Sequence, residues 1–263
     1  MAETSPSTTF VCLHSSAASG KQWRRLIADA TEAGETWQWH APDLYGHGSA
    51  AAWPAGRPNR LDVEADGVLA GLPLLTDEPF HLVAHSYGAA TALQVALLQP
   101  QRVQSLTLYE PVAFGVLGDD VPGAREARQV AQAVVEALDR GDLQDAARGF
   151  VGYWQDRDIW PELDDAQRQR LAEPMPTVRR HFEALNAARW TDAQLATLQM
   201  PVQLVCGGAT RASARAVSQA LSVKLPRVQL AVVEGAAHLA PIGDPARVNP
   251  LLLDGMRRGL NAA

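Results

Sequence analysis

The sequence predicts an α/β fold: a mostly parallel central sheet flanked by helices, with a helical cap inserted into it. Three observations carry that expectation. Short apolar runs alternate with segments of helical period, the pattern of βα units feeding a parallel sheet. A serine, Ser86, sits on the turn between one such run and the helix pattern that follows it. The stretch from Pro111 to Pro201, about ninety residues, holds amphipathic helix patterns and no convincing strand. A crossover within a compact α/β domain needs far fewer.

The elements follow in order. Phe10 to His14 is the first predicted strand, and Trp23, Leu26, Ile27 and Ala30 mark one face of the next helix, stopped by Gly34. Thr36 to His40 is the second strand and runs into Ala41-Pro42-Asp43. Leu61, Ala65, Val68, Leu69 and Leu72 then repeat at helical spacing. Phe80 to Ala84 is the third strand, followed at once by an Ala- and Leu-rich helix ending near Pro100. Ser105 to Tyr109, Val202 to Cys206 and Val228 to Val233 are the remaining strands. In the long insertion, helices are expected over Val121 to Leu138 (closed by Gly141), Leu143 to Trp154, Leu163 to Leu171 and Thr177 to Ala188. Asp192 to Leu198 would return the chain to the sheet. Residues 114–190 are thus expected as the cap, with 1–113 and 191–263 as the α/β core. Asn249-Pro250 has the form of a helix cap and first turn, opening a closing helix over Leu251 to Leu260.

Composition narrows the function. The 263 residues carry 23 basic and 29 acidic side chains, a net charge of −6, which argues against nucleic acid or an anionic membrane as partner. Met1 to Phe10 is polar and has no Lys or Arg, and the apolar run that follows is too short for a signal-peptide core. No apolar stretch approaches the ~20 residues of a membrane span. Cys12 and Cys206 lie in separate apolar strand patterns and are expected as buried, reduced thiols, which suits a cytoplasmic protein. The expected partner is a small molecule, with the oligomeric state left open between monomer and homodimer. No His/Cys/carboxylate pattern has metal-ligand spacing, and no glycine-rich loop follows the first strand, so no metal and no cofactor are expected.

The chemistry centres on His81-Leu82-Val83-Ala84-His85-Ser86-Tyr87-Gly88. A serine on a sharp strand-to-helix turn is held in a strained conformation, so only small residues fit two positions either side. Ala84 and Gly88 occupy those positions. The helix start beyond Ser86 offers positive potential to a developing oxyanion.

From here the chain resembles the α/β-hydrolase family. Phe10-Val11-Cys12-Leu13-His14-Ser15-Ser16 is similar to the family's strand and His-Gly oxyanion loop, with Ser15 in place of glycine. Ala41-Pro42-Asp43-Leu44-Tyr45-Gly46-His47-Gly48 is similar to its Pro-Asp-x-x-Gly-x-Gly turn, and Gly235-Ala236-Ala237-His238 to the segment bearing its catalytic histidine. The family's two leading antiparallel strands are expected to be missing or vestigial, because Phe10 already opens the oxyanion strand.

The resemblance implies Ser86 as nucleophile and His238 as general base. His14, His40 and His47 fall at strand ends or turns and suit structural roles, and His85 should point away from the hydroxyl. The acid departs from the common pattern. Most members carry it shortly after the strand matched here by Val202 to Cys206, but Gly207-Gly208-Ala209-Thr210-Arg211 holds no carboxylate. Glu110, ending the preceding strand, is the expected acid, as in certain haloalkane dehalogenases and lipases. Asp43 and Glu234 are the alternatives. The backbone N–H groups of Tyr87 and Ser16 are the expected oxyanion donors. Ser15, Phe114, Trp154 and His181 are candidate substrate contacts, although aromatic residues at helical spacing also suit the core of a cap. The expected activity is hydrolysis of a small or medium ester, lactone or thioester through an acyl-enzyme. The alternatives are C–C bond hydrolysis of a diketone-type substrate by the same triad, and a ligand-binding homologue without turnover.

Overall fold

In a computed structural model, which describes residues 8–74 and 77–262, six strands form one sheet. They are β1 (Thr9–Leu13), β2 (Gln38–His40), β3 (Phe80–His85), β4 (Val103–Tyr109), β5 (Val202–Gly207) and β6 (Val228–Val233). Their order is β2-β1-β3-β4-β5-β6, and every pairing is parallel. The described residues contain no strand before β1; Met1 to Ser7 lie outside them, as does most of the polar leading stretch.

The helices in chain order are α1 (Arg24–Glu32), α2 (Leu61–Gly71), α3 (Tyr87–Leu98), α4 (Pro122–Asp139), α5 (Leu143–Gln155) and α6 (Asp165–Ala172). They continue with α7 (Met175–Ala187), α8 (Asp192–Ala196), α9 (Ala212–Lys224), α10 (Ala240–Gly243) and α11 (Pro245–Ala262). Because successive strand residues face opposite sides, β1 sends Phe10 and Cys12 into one core with Trp23 and Leu26 of the α1 region and Leu252 and Met256 of α11. Val11 and Leu13 enter the other core, with residues of α2, α3, α9 and the helices between β4 and β5. A sheet covered on both faces explains why its central strands are buried nearly throughout and rich in apolar residues. Cys12 and Cys206 are free and buried on different strands.

Between β4 and β5 the described chain forms α4 to α8 and short 3₁₀ turns, with no strand. Asp142 caps α5 by accepting from Asp145 N–H, and Asp164 and Gln167 close a reciprocal capping box on α6. One expected boundary is corrected. The closing helix begins at Pro245, not at Asn249-Pro250, and Pro250 lies inside it. Asp244-Pro245 is the same cap-then-proline signal, lying earlier in the chain. Val248 and Asn249 are buried, and their packing outweighs the hydrogen bond that Pro250 cannot donate.

The strand order reverses between β1 and β3, since β1 is followed by β2 on one side while β3 lies on the other. At such a switch point the loops beyond the carboxyl ends diverge and leave a crevice. Ser16 follows β1 and Ser86 follows β3, so both sit at that crevice. No helix of the described residues is long and apolar enough to cross a membrane.

Candidate active site

Ser86 occupies the turn between β3 and α3 with φ +56° and ψ −119°, a conformation that strains any residue with a side chain. The surrounding bonds over-determine it: Ser86 N–H donates to Tyr109 O, and Ser86 O accepts from Ala89 and Ala90 N–H. A Cβ at Gly88 would lie 2.4 Å from His14 O and 2.5 Å from Leu13 O. Glycine there lets α3 start directly against the end of β1.

Three side chains from distant parts of the chain meet at this turn. Ser86 Oγ is 2.9 Å from His238 Nε2, and His238 Nδ1 is 2.7 Å from Glu110 Oε2. All three residues are buried. Glu110 has φ +42° and directly follows β4. Its Oε1 accepts from Gly207 N–H at 2.7 Å, and its Oε2 accepts the Thr210 hydroxyl at 2.6 Å besides the imidazole. Three donors therefore meet a group that burial without partners would penalise by several kcal/mol. The loop after β5, empty of acids, cradles the acid supplied by β4: a Cβ at Gly207 would stand 2.9 Å from Glu110 Oε1. Sequence reading missed Gly207 and Thr210. A hydroxyl in a loop that lacks its usual carboxylate was the available signal.

Since the carboxyl oxygen takes the Nδ1–H, the lone pair on Nε2 faces the serine hydroxyl. The imidazole is fixed in other ways too. Trp154 stacks on it at 3.7 Å and 23°. His85 points away from the Ser86 hydroxyl and donates from Nε2 to His238 O at 2.9 Å, while Gln22 Nε2 donates to its Nδ1 at 3.2 Å. Burial, with His238 nearby, keeps His85 neutral, its pKa well below the ordinary imidazole range. Tyr109 Oη–H donates to Ala237 O at 2.8 Å. Asp43 and Glu234 make no bond to His238; Asp43 instead accepts from Gly20 N–H and Ser49 N–H.

The loop after β1 is held by the turn after β2. Leu44 N–H donates to His14 Nε2, and His14 Nδ1–H donates to Ser15 O. Ala17 N–H donates to His47 Nε2, and Ala17 has φ +57°. Both histidines must stay neutral to accept. Burial lowers the His14 pKa to about 4 and lowers that of His47. Ser15 is turned inward, its hydroxyl and N–H both on Gln22 Oε1, and it does not line the cavity over Ser86. Ser16 does, and among the described residues no acceptor takes its N–H or that of Tyr87.

That cavity is small, about 10 Å³, room for little more than one water molecule. Its polar members are Ser16, Ser86 and His181, and Phe114, Trp154 and Phe182 are among the apolar ones. Phe114, Trp154 and His181 are thus brought together with Ser86. A larger opening, lined by Val202, Val228 and Arg258, lies at the amino ends of β5 and β6, away from Ser86. Among the described residues no group of three or more His, Cys, Asp or Glu could hold a metal ion.

Residues 10–251 match the model of the Alpha/beta hydrolase family. Lipase LipV of Mycobacterium tuberculosis is 30% identical over 168 residues, which cover 64% of this chain but only 58% of the lipase, less than two thirds of its length. A pimeloyl-[acyl-carrier protein] methyl ester esterase of Neisseria meningitidis serogroup B is 30% identical over 211 residues, 77% of this chain and 76% of the esterase. Among solved structures, the 2-hydroxy-6-oxo-6-phenylhexa-2,4-dienoate hydrolase of Rhodococcus sp. strain RHA1 has a TM-score of 0.73 at 21% identity, covering 95% of this chain and 91% of that one. At that identity the likeness is one of fold.

Proposed function

The chain belongs to the alpha/beta hydrolase family and is a hydrolase, and from that premise we propose that it is a serine esterase acting through an acyl-enzyme on Ser86. The observation that carries the proposal is the unbroken hydrogen-bond chain from Ser86 Oγ through His238 to Glu110, opening into a mostly apolar cavity. Relatives bearing esterase and lipase names support an ester as the substrate.

The steps follow from the geometry. His238 Nε2 takes the Ser86 proton as Oγ attacks the ester carbonyl carbon. The carbonyl oxygen becomes an oxyanion, which the N–H groups of Tyr87 and Ser16 receive. Glu110 holds the Nδ1–H and stabilises the imidazolium. The proton then passes to the alkoxide leaving group, the C–O bond breaks, and the alcohol departs. A water molecule, deprotonated by His238, attacks the acyl-serine and releases the acid with Ser86 restored. Residues 114–190 act as the cap, with Phe114, Trp154 and His181 contacting the substrate, and a small-molecule ester is the partner.

Turnover of a p-nitrophenyl ester panel and of a diketone panel, by the wild type and Ser86→Ala, tests this. The expected result is ester hydrolysis that Ser86→Ala abolishes. Cleavage of diketones with no ester turnover would instead assign C–C bond hydrolysis to the same residues.

A further inference from the structure

His181, on α7, moves no proton in these steps, yet it is built into the crevice. It is buried, it lines the same cavity as Ser86, and its Nδ1 lies 2.8 Å from Ser16 Oγ. Its Nε2 is buried and has no hydrogen-bond partner among the described residues. The ring is clamped flat on Tyr87, with centroids 3.6 Å apart and planes at 5°, and it stacks with His47 at 5.0 Å and 20°. Tyr87 is fixed in turn, its hydroxyl donating to Glu64 Oε2 at 3.0 Å.

One proton and two nitrogens decide what this clamp does. If Nε2 carried the hydrogen, a buried donor would go unmet. With the hydrogen on Nδ1, it is donated to Ser16 Oγ and only an acceptor lone pair is left unmet, the better tolerated deficit. The Ser16 hydroxyl then accepts from His181, and its own hydrogen must turn elsewhere. Burial, reinforced by His47 and His14, keeps the imidazole neutral, so both nitrogens do not become donors together.

We propose that the Ser16 hydroxyl, oriented by His181, is a third donor to the oxyanion formed at Ser86, beside the backbone N–H groups of Tyr87 and Ser16. The inference rests on the serine-esterase reading and deepens it. Ser16 supplies two hydrogens to one oxygen, and toward that oxygen His181 is a positioning residue that acts through it. The link also ties α7 to the catalytic crevice.

The test is a double-mutant cycle on p-nitrophenyl ester turnover. Ser16→Ala keeps the N–H and removes the hydroxyl, and it should lower kcat about 10²-fold with little change in KM. His181→Phe keeps the stack on Tyr87 and should lose a similar factor, while His181→Asn, whose amide can donate near the Nδ1 position, should recover part of it. The Ser16→Ala/His181→Phe variant should be no worse than Ser16→Ala alone. Full kcat in Ser16→Ala, with Ser86→Ala inactive, overturns the third donor and leaves the esterase reading standing. Losses that multiply in the double variant overturn the role of His181. Activity retained by Ser86→Ala overturns the reading beneath both.

Discussion

Replacing Glu110 by Gln tests the acid with one atom exchanged. The carboxyl group is fully buried and meets three donors: Gly207 N–H on Oε1, and Thr210 O–H and His238 Nδ1–H on Oε2. A glutamine has one oxygen and one NH₂ to offer these two places. With its oxygen toward Thr210 and His238, the NH₂ opposes the Gly207 N–H, donor against donor. With its oxygen toward Gly207, the NH₂ faces Thr210 and His238. The Thr210 hydroxyl can rotate to accept, and the imidazole can shift its proton to Nε2, so this second arrangement is the one the fold tolerates. It leaves Ser86 facing an N–H in place of a base. The expected loss in kcat is up to about 10⁴-fold, equivalent to about 5 kcal/mol on the barrier. The assay is kcat and KM for a p-nitrophenyl ester near neutral pH, with thermal unfolding measured on the same sample. A folded Glu110→Gln protein retaining more than about a tenth of wild-type kcat would refute the assignment.

Two further predictions concern the scaffold. Gly88→Ala places a Cβ 2.4 Å from His14 O and 2.5 Å from Leu13 O, so α3 and β1 must separate; a stability loss of about 1–3 kcal/mol and a fall in esterase rate are expected, and an unchanged urea midpoint would contradict the close approach. Burial raises the Glu64 pKa from 4.5 to about 7, against the bonds from Tyr45 N–H and Tyr87 Oη–H. Between those values the unfolded chain ionises Glu64 while the folded chain keeps its proton, so this group's contribution is complete below 4.5 and is lost as pH rises through 7. Glu64→Gln does not titrate, and its stability relative to wild type should climb by up to about 3 kcal/mol across that window; a difference in urea midpoints that stays flat with pH would contradict it.

The sheet and the Ser86 turn were legible because they rest on local pattern: buried parallel strands are short runs rich in apolar residues, and a strained turn admits only small neighbours such as Ala84 and Gly88. That Glu110 would lie beside His238 was expected from the family resemblance, which turned to β4 because Gly207 to Arg211 carries no acid. What encloses Glu110 was not, because the Gly207 N–H and the Thr210 hydroxyl reach it across 97 and 100 residues of sequence. The link from His181 to Ser16 spans 165 residues and has no local signature. Ser15 was expected at the substrate, but the nearby Gln22 amide captures it. The start of α11 was misjudged because the proline rule is local, whereas the buried places of Val248 and Asn249 are set by tertiary packing.

The proposed function requires Ser86 to be an activated nucleophile. Treatment with a fluorophosphonate probe, followed by intact-mass analysis and peptide mapping, reads this without a substrate. A single adduct is expected on Ser86 in the folded wild type and none in Ser86→Ala. An adduct on another residue, or no adduct in folded protein, would refute it.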